Sequence, residues 1–158
     1  MYHYISTNLK GDKFYYVNSI LHREDGPAVE FCSGRKEWWV NGLLHREDGP
    51  AIEYVSGRKE WYKNGKFHRE DGPAIEADNG DKFWYKNNTF HREDGPAIER
   101  FNGDKRWYKN GNLHREDGAA VEYASGIKCW YLNNKYYGTN SDFTNESWKR
   151  FVKTLIFS

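Results

Sequence analysis

The sequence has few of the residues that build a deep aliphatic core or a cross-linked fold. Of its 158 residues, 2 are cysteine, 4 are proline and 1 is methionine, and the mean hydropathy is -1.03. Cys32 and Cys129 occupy unlike positions of the sequence, and neither has a second thiol nearby. A disulfide framework and a cysteine-based metal site are therefore disfavoured, and free thiols in a reducing cytoplasm are expected.

Two further features are missing. No apolar run approaches the ~18 residues of a membrane span, and the start of the chain has neither the basic nor the apolar region of a signal peptide. The net charge is only +1, and both signs are interspersed throughout. Without a basic face, nucleic acid is disfavoured as a partner, as is a membrane. We expect a cytoplasmic, soluble protein.

Aromatic residues are abundant. The chain contains 7 Trp, 12 Tyr and 9 Phe, which together make up 18% of the residues. Disordered chains lack such rings, so a folded protein is expected. Its core should be aromatic and thin because aliphatic residues are scarce.

A repeated heptapeptide organises the sequence. His-Arg-Glu-Asp-Gly-Pro-Ala begins at His22, His45, His68 and His91, and a fifth copy, from His114, has Ala119 in place of proline. Copies recur every 23 residues, so the chain is a tandem array. We predict a hairpin array over 1–138, with a capping repeat at 1–28 and a C-terminal helix within 139–158. Further repeats are predicted to start at Val29, Ile52, Ile75, Ile98 and Val121.

Strand and turn signals alternate within each repeat. Residues 51–55 and 59–63 contain aromatic and β-branched residues and are followed by Ser56-Gly57 and Asn64-Gly65, respectively. A three-residue loop closed by Gly57 would place Glu53 opposite Lys59. A parallel β-solenoid is the alternative. It would stack like charges about 4.8 Å apart, so antiparallel hairpins are favoured.

Alternation along the strands predicts one aromatic row on each face. Trp61 should share a face with Glu53 and Lys59, whereas Ile52, Tyr54 and Tyr62 should lie on the other. The first row is Trp38, Trp61, Trp84, Trp107 and Trp130, and the second is Trp39, Tyr62, Tyr85, Tyr108 and Tyr131.

The end of the chain predicts an amphipathic helix of about three turns. Its apolar face comprises Trp148, Phe151, Val152, Leu155 and Ile156, and Asp142 or Thr144 is available as its cap. Docking on the sheet is the favoured role. A dimer contact and a membrane-surface contact are the alternatives.

The 23-residue period and the stretch Trp-Tyr-x-Asn-Gly-x-x-His resemble MORN repeats. The matching residues of one repeat are Tyr54, Gly57, Trp61, Tyr62, Asn64, Gly65 and His68. The resemblance implies an elongated, single-layer antiparallel sheet of hairpins that makes protein or lipid contacts, self-associates and is not an enzyme. The His-Arg-x-Asp-Gly-Pro-Ala variant resembles arrays of bacteriophages and large DNA viruses. The loop after His68 is two residues longer than in those repeats.

The charged loops invite a catalytic or metal-binding interpretation, but five near-identical copies provide similar environments, whereas acid–base catalysis needs contrasting ones. We therefore predict no catalytic residues, no metal and no cofactor. A structural role is favoured, with Gly72 at positive φ in a turn and Arg69 paired with a carboxylate of its own or the adjacent loop.

The functional hypothesis is a non-enzymatic module that binds a protein partner. A phage inhibitor of a host defence or regulatory protein is its concrete form. The predicted contact residues are Trp38, Trp61, Trp84, Trp107 and Trp130. One alternative is sequestration of nucleotides or small anions by His68, Arg69, His91, Arg92, Tyr62 and Tyr85. The other is a homo-oligomeric scaffold, in its simplest form a homodimer.

Overall fold

The computed structural model describes residues 3–156. The side chain of Ile156, predicted on the apolar face of the helix, lies outside the described residues. Two compact units are present, one formed by residues 3–78 with Tyr85–Asn88 and the other by Asn79–Trp84 with residues 89–156. No helix in this part of the chain is long and apolar enough to span a membrane.

The structure is mainly β, with very short strands. The first strands are β1 His3–Thr7, β2 Lys13–Val17, β3 Ile20–Leu21, β4 Val29–Glu30, β5 Lys36–Glu37, β6 Trp39–Val40, β7 Leu43–Leu44, β8 Ile52–Glu53, β9 Lys59–Glu60, β10 Tyr62–Lys63 and β11 Lys66–Phe67. The others are β12 Ile75–Glu76, β13 Lys82–Phe83, β14 Tyr85–Lys86, β15 Thr89–Phe90, β16 Ile98–Glu99, β17 Lys105–Arg106, β18 Tyr108–Lys109, β19 Asn112–Leu113, β20 Val121–Glu122, β21 Lys128–Leu132 and β22 Lys135–Thr139. Helix α1, Asn145–Ile156, ends the described chain.

Each repeat begins with an antiparallel strand pair. In β8 and β9, Glu53 lies opposite Lys59, as predicted. The Tyr54 amide donates to the Arg58 carbonyl at 3.0 Å, and Gly57 has a φ of 94°. The strand order is β1-β2-β4-β5-β8-β9-β12 in the first unit and β13-β16-β17-β20-β21-β22 in the second. The antiparallel hairpin fold is thus confirmed, and the parallel solenoid is excluded.

Opposite charges alternate across neighbouring strands. Lys59 of β9 lies opposite Glu53 of β8 on one side and opposite Glu76 of β12 on the other. In the second unit, Lys105 likewise lies opposite Glu99 and Glu122. Cross-strand pairs of opposite charge stabilise a sheet, whereas like charges would destabilise it. This register removes the like-charge repulsion that a parallel stack would create.

A second hairpin completes each repeat, so a repeat has four short strands where the sequence predicted two. β10 pairs with β11 across Asn64 and Gly65, whose φ values of 51° and 74° are those of a type I′ turn. Trp61 lies between β9, which pairs with β8 and β12, and β10, which pairs with β11. Its amide donates to the Ala74 carbonyl at 2.8 Å, and its carbonyl accepts from the His68 amide at 3.1 Å.

The core is thin and repeats with the sequence. Each His-Arg-Glu-Asp loop is followed by a buried alanine and a buried aliphatic residue, as at Ala51 and Ile52, and Ala119 is buried in addition in the last repeat. Glu60, opposite Ile52, is also buried and pairs with Arg58 at 2.6 Å. An alanine next to a single aliphatic side chain gives little apolar burial per repeat, so polar contacts must contribute to stability.

Helix α1 contributes to an apolar cluster of the second unit. Thr144 caps it, because its Oγ1 accepts from the Ser147 amide at 3.2 Å while Ser147 Oγ accepts from the Thr144 amide at 2.9 Å. The fully buried Trp148 packs with Trp130 and Val152. The predicted docking on the sheet is therefore confirmed, although Leu155 remains 43% exposed.

Truncating Trp148 tests this packing. Trp148→Ala should lower the free energy of unfolding by about 3–5 kcal/mol, since it leaves a cavity against Trp130 and removes the bond from Trp148 Nε1 to the Arg115 carbonyl. Urea unfolding followed by circular dichroism measures the loss. The control is Lys149→Ala, at an exposed position of the same helix. Equal losses in the two variants would contradict this packing.

Candidate functional site

One arginine from each charged loop lies over an aromatic ring. The guanidinium of Arg69 is 4.0 Å from the centre of the Trp61 ring, and Arg46 lies over Trp38 at the same distance. In the second unit, Arg92 covers Trp84 and Arg115 covers Trp107. Such cation–π contacts are attractive and gain strength when water is excluded. The HRED loops, residues 22–27, 45–50, 68–73, 91–96 and 114–119, thus fold back onto the strands.

The same arginine also ties its loop to the sheet. Arg69 Nε donates to Asp71 at 2.9 Å, and Nη1 donates to Glu76 at 3.0 Å and to the Pro73 carbonyl at 3.3 Å. The predicted pairing with a carboxylate of its own loop is confirmed. Equivalent bonds are made by Arg23, Arg46, Arg92 and Arg115.

The prediction for the loop glycine is wrong. Gly72 does not have a positive φ, whereas the hairpin glycines Gly57 and Gly65 do. A Cβ at position 72 would instead lie 2.8 Å from the guanidinium carbon of Arg69. The arginine packs directly against the backbone here, so a side chain at position 72 would displace the guanidinium from its contacts.

The loop histidines connect successive repeats. The Asn64 amide donates to His45 Nδ1 at 3.1 Å, and His45 Nε2 faces Glu47 Oε1 at 3.1 Å. With Nδ1 accepting, Nε2 carries the proton and donates to the glutamate. His68 also links repeats, with its Nδ1 3.0 Å from the side-chain oxygen of Asn87 and its Nε2 2.8 Å from Glu70 Oε1. No group of metal-ligating side chains occurs in the described part of the chain.

Open clefts separate consecutive HRED loops. In the first unit, a cleft of 510 Å³ lies between the loops at 45–50 and 68–73 and is also lined by Trp61 and Lys63. In the second unit, a cleft of 520 Å³ lies between the loops at 91–96 and 114–119 and contains Trp107. The carboxylates project outwards, since Glu70 is 71% exposed while Arg69 is 21% exposed. Each cleft therefore combines an indole with solvent-facing acids.

The structure divides the predicted tryptophan row. Trp38, Trp61, Trp84 and Trp107 are half-buried. Trp130 is 1% exposed and lies beneath Phe143 and helix α1, so its predicted partner contact is wrong. The reason is that the last repeat has Gly138 where the stacking arginine would stand. The helix covers the indole that no arginine can cover.

The alternative anion site is not assembled. Tyr62 follows Trp61 and therefore faces the opposite side of the strand from Arg69. Its hydroxyl donates to Glu60 at 3.2 Å, and burial, followed by the Glu60 carboxylate, raises the pKa of Tyr62. Tyr85 stacks on Phe67 with ring centres 5.2 Å apart. The rings of Tyr62 and Tyr85 thus both pack on Phe67. In the second unit, His91 and Arg92 bond to Glu93 and Asp94.

Sequence reasoning missed a second set of links between repeats. The Asp12 carboxylate accepts from the Cys32 amide at 2.7 Å, and Asp81 accepts from the Phe101 amide at the same distance. The signal was the Gly-Asp-Lys that ends at Lys13, Lys82 and Lys105, and Asp104 accepts in the same way from the Ala124 amide at 2.8 Å. These aspartates bond to backbone amides of the following repeat and do not line either cleft.

Comparison with known proteins assigns no family to this chain. The sequence matches no protein-family model and no curated protein. The resemblance to MORN repeats therefore remains a prediction from the motif, and function has to be argued from the clefts and their surroundings.

Replacing a stacking arginine by lysine tests its structural role. Arg69→Lys keeps the charge but removes the planar group that contacts Trp61, Asp71 and Glu76 together. We expect a loss of about 1–3 kcal/mol in the free energy of unfolding. The control Arg150→Lys changes an exposed helix residue. If denaturant titrations give the same midpoint for both variants, the arginine is not a structural anchor.

The loop aspartates predict acid sensitivity. The hydrogen bond from Arg69, and then its charge, lowers the pKa of Asp71, and Asp48 is affected in the same way by Arg46. A carboxyl whose pKa is lower in the folded than in the unfolded state stabilises the fold above its ordinary pKa of 3.8. This stabilisation is lost as the pH falls through the folded-state pKa.

The melting temperature should therefore fall below about pH 4. In Asp48→Asn/Asp71→Asn, the melting temperature should be lower at pH 7 and should fall less between pH 5 and pH 2. The control is Asp78→Asn, in an exposed turn outside the loops. Thermal melts across this range measure the effect, and an unchanged acid-induced decrease in the double variant would contradict it.

Proposed function

We propose that the protein is a non-enzymatic binding module that engages a protein partner through the HRED loops. The observation that carries the proposal is the repeated cleft, which in each unit is lined by a tryptophan and by two carboxylate-bearing loops. Tryptophan and arginine are enriched among the residues that dominate binding energy at protein interfaces. Equivalent clefts suit a partner that makes the same type of contact more than once.

The charge distribution favours a partner with basic side chains. Arg69 is stacked and bonded to Asp71 of its own loop and to Glu76 of the next repeat, so its charge is largely neutralised. Glu47 and Glu70 are 70% and 71% exposed and lie at the mouth of the cleft. Lysine and arginine side chains of the partner would complement these carboxylates. The same arrangement makes nucleotide sequestration the weaker hypothesis, because a bound anion would meet acids first.

The partner class follows only from the sequence resemblance. A host defence or regulatory protein, inhibited by a phage product, remains the predicted target. The cytoplasm remains the predicted compartment. We also propose that the protein is not an enzyme, because its near-identical loops provide similar environments and acid–base catalysis needs contrasting ones.

Neutralising the exposed glutamates tests the proposal. Glu24→Gln/Glu47→Gln/Glu70→Gln keeps side-chain size while removing three charges from the first unit. Exposed ion pairs contribute about 0.2–1 kcal/mol each, so we expect binding to weaken at least about threefold. The readout is quantitative capture from host lysate, followed by titration of the purified captured protein at two salt concentrations.

The control for this experiment is Asp78→Asn/Glu146→Gln, which removes exposed carboxylates outside the loops. The proposal is supported if the triple variant binds more weakly than this control and shows less salt dependence than the wild type. A captured protein that binds all three forms equally well would overturn it.

A further inference from the structure

Strand β1 leaves one edge of the first unit open. β1 pairs with β2 along its whole length, from His3 opposite Val17 to Thr7 opposite Lys13. Among the described residues, β1 has β2 as its one neighbour in the strand order of this unit. Edge strands expose unpaired amides and carbonyls, which are a template for another strand.

The hydrogen bonds of β2 show which backbone groups of β1 point away from β2. The Tyr15 amide donates to the Ala28 carbonyl at 2.8 Å, and its carbonyl accepts from the His22 amide at 3.1 Å, so the backbone of Tyr15 is directed away from β1. Ile5, opposite Tyr15, therefore belongs to a pair that exchanges no backbone hydrogen bonds. The amides and carbonyls of His3, Ile5 and Thr7 consequently face the open side.

β1 lacks the features that normally prevent strands from pairing at an edge. Its sequence, His-Tyr-Ile-Ser-Thr, contains no lysine, acid or proline, and its register with β2 has no bulge. Ile5 is 60% exposed. β22, the last strand in the order of the second unit, carries Lys135 and pairs with β21 through a bulge at Trp130 and Tyr131. Charges and bulges of this kind discourage edge pairing.

We propose that β1 pairs antiparallel with β1 of a second copy of this chain, about a two-fold axis through Ile5. In this register Ile5 lies opposite its own copy, and His3 lies opposite Thr7. Every outward amide and carbonyl of the two strands then finds a partner. The pairing brings no carboxylate and no lysine opposite a like charge, so self-association meets no electrostatic barrier within the strands.

The surroundings of Ile5 add apolar area to this contact. Ile5 lines a cleft of 660 Å³ together with Tyr15 and Val17. The corresponding cleft in the next repeat contains Val40, whereas the one after it contains Lys63. A five-residue pairing is shorter than the contact of a stable interface, which buries about 1,200–2,000 Å². The dimer is therefore weak and depends on concentration.

This self-association goes beyond the proposed function and uses a different surface. The variants that test partner binding leave β1 unchanged, and those that test dimerisation leave the HRED loops unchanged. Failure of one proposal is therefore distinguishable from failure of the other.

A proline at position 5 removes an outward amide without removing a bond to β2. Ile5→Pro should raise the dimer dissociation constant at least about tenfold, because edge strands tolerate proline only where the N–H is not needed. Ile5→Ala, which keeps the amide, should weaken the dimer less. Sedimentation equilibrium up to millimolar protein measures both constants, and thermal melts verify the fold. A monomeric wild type, or equal dimerisation of Ile5→Pro, would overturn the proposal.

Cysteine cross-linking tests the register itself. In a Cys32→Ser/Cys129→Ser background, Ile5→Cys would place two Cα atoms about 5.5 Å apart across the axis, within the range of a disulfide. Thr7→Cys, the matched control, would place them roughly 14 Å apart. Mild oxidation should therefore yield a covalent dimer for Ile5→Cys alone. A cross-link in both variants, or in neither, would overturn the two-fold register.

Discussion

The repeats depend on an arginine that makes three kinds of contact at once. Arg69 covers the face of Trp61, closes its own loop through Asp71 and reaches Glu76 at the start of the next repeat. Stacking and charge-assisted hydrogen bonds reinforce each other when one planar group makes both. The loop glycine, the loop aspartate and the strand glutamate are all explained by this one side chain.

This arrangement addresses a shortage of apolar material. With one alanine and one aliphatic residue buried per repeat, as at Ala51 and Ile52, hydrophobic burial is small. Hydrogen bonds between repeats, such as that from the Asn64 amide to His45, add directional contacts. Where the last repeat lacks the arginine, helix α1 buries Trp130 instead. The charged heptapeptide therefore mainly stabilises the fold, and its outward carboxylates are the groups available for binding.

Predictions from the sequence were correct for features that depend on residues close together in the chain. Glu53 opposite Lys59 follows from loop length, and the turn at Asn64-Gly65 follows from the positive φ that both residues tolerate. The fate of Trp130 could not be read from its own repeat, because it depends on a helix that begins 15 residues later. The sequence did not predict why position 72 is a glycine, because the reason is a contact between its backbone and the side chain of Arg69.

The sequence by itself determined the 23-residue period, the antiparallel pairing and the division of side chains between two faces. These depend on turn residues and on alternation along a strand, which act between near neighbours. Only the tertiary structure decided how much of each aromatic row stays accessible. The burial of a ring depends on the side chains that pack over it. The arginines and the C-terminal helix make these contacts in three dimensions, so the spacing of the repeats alone does not predict them.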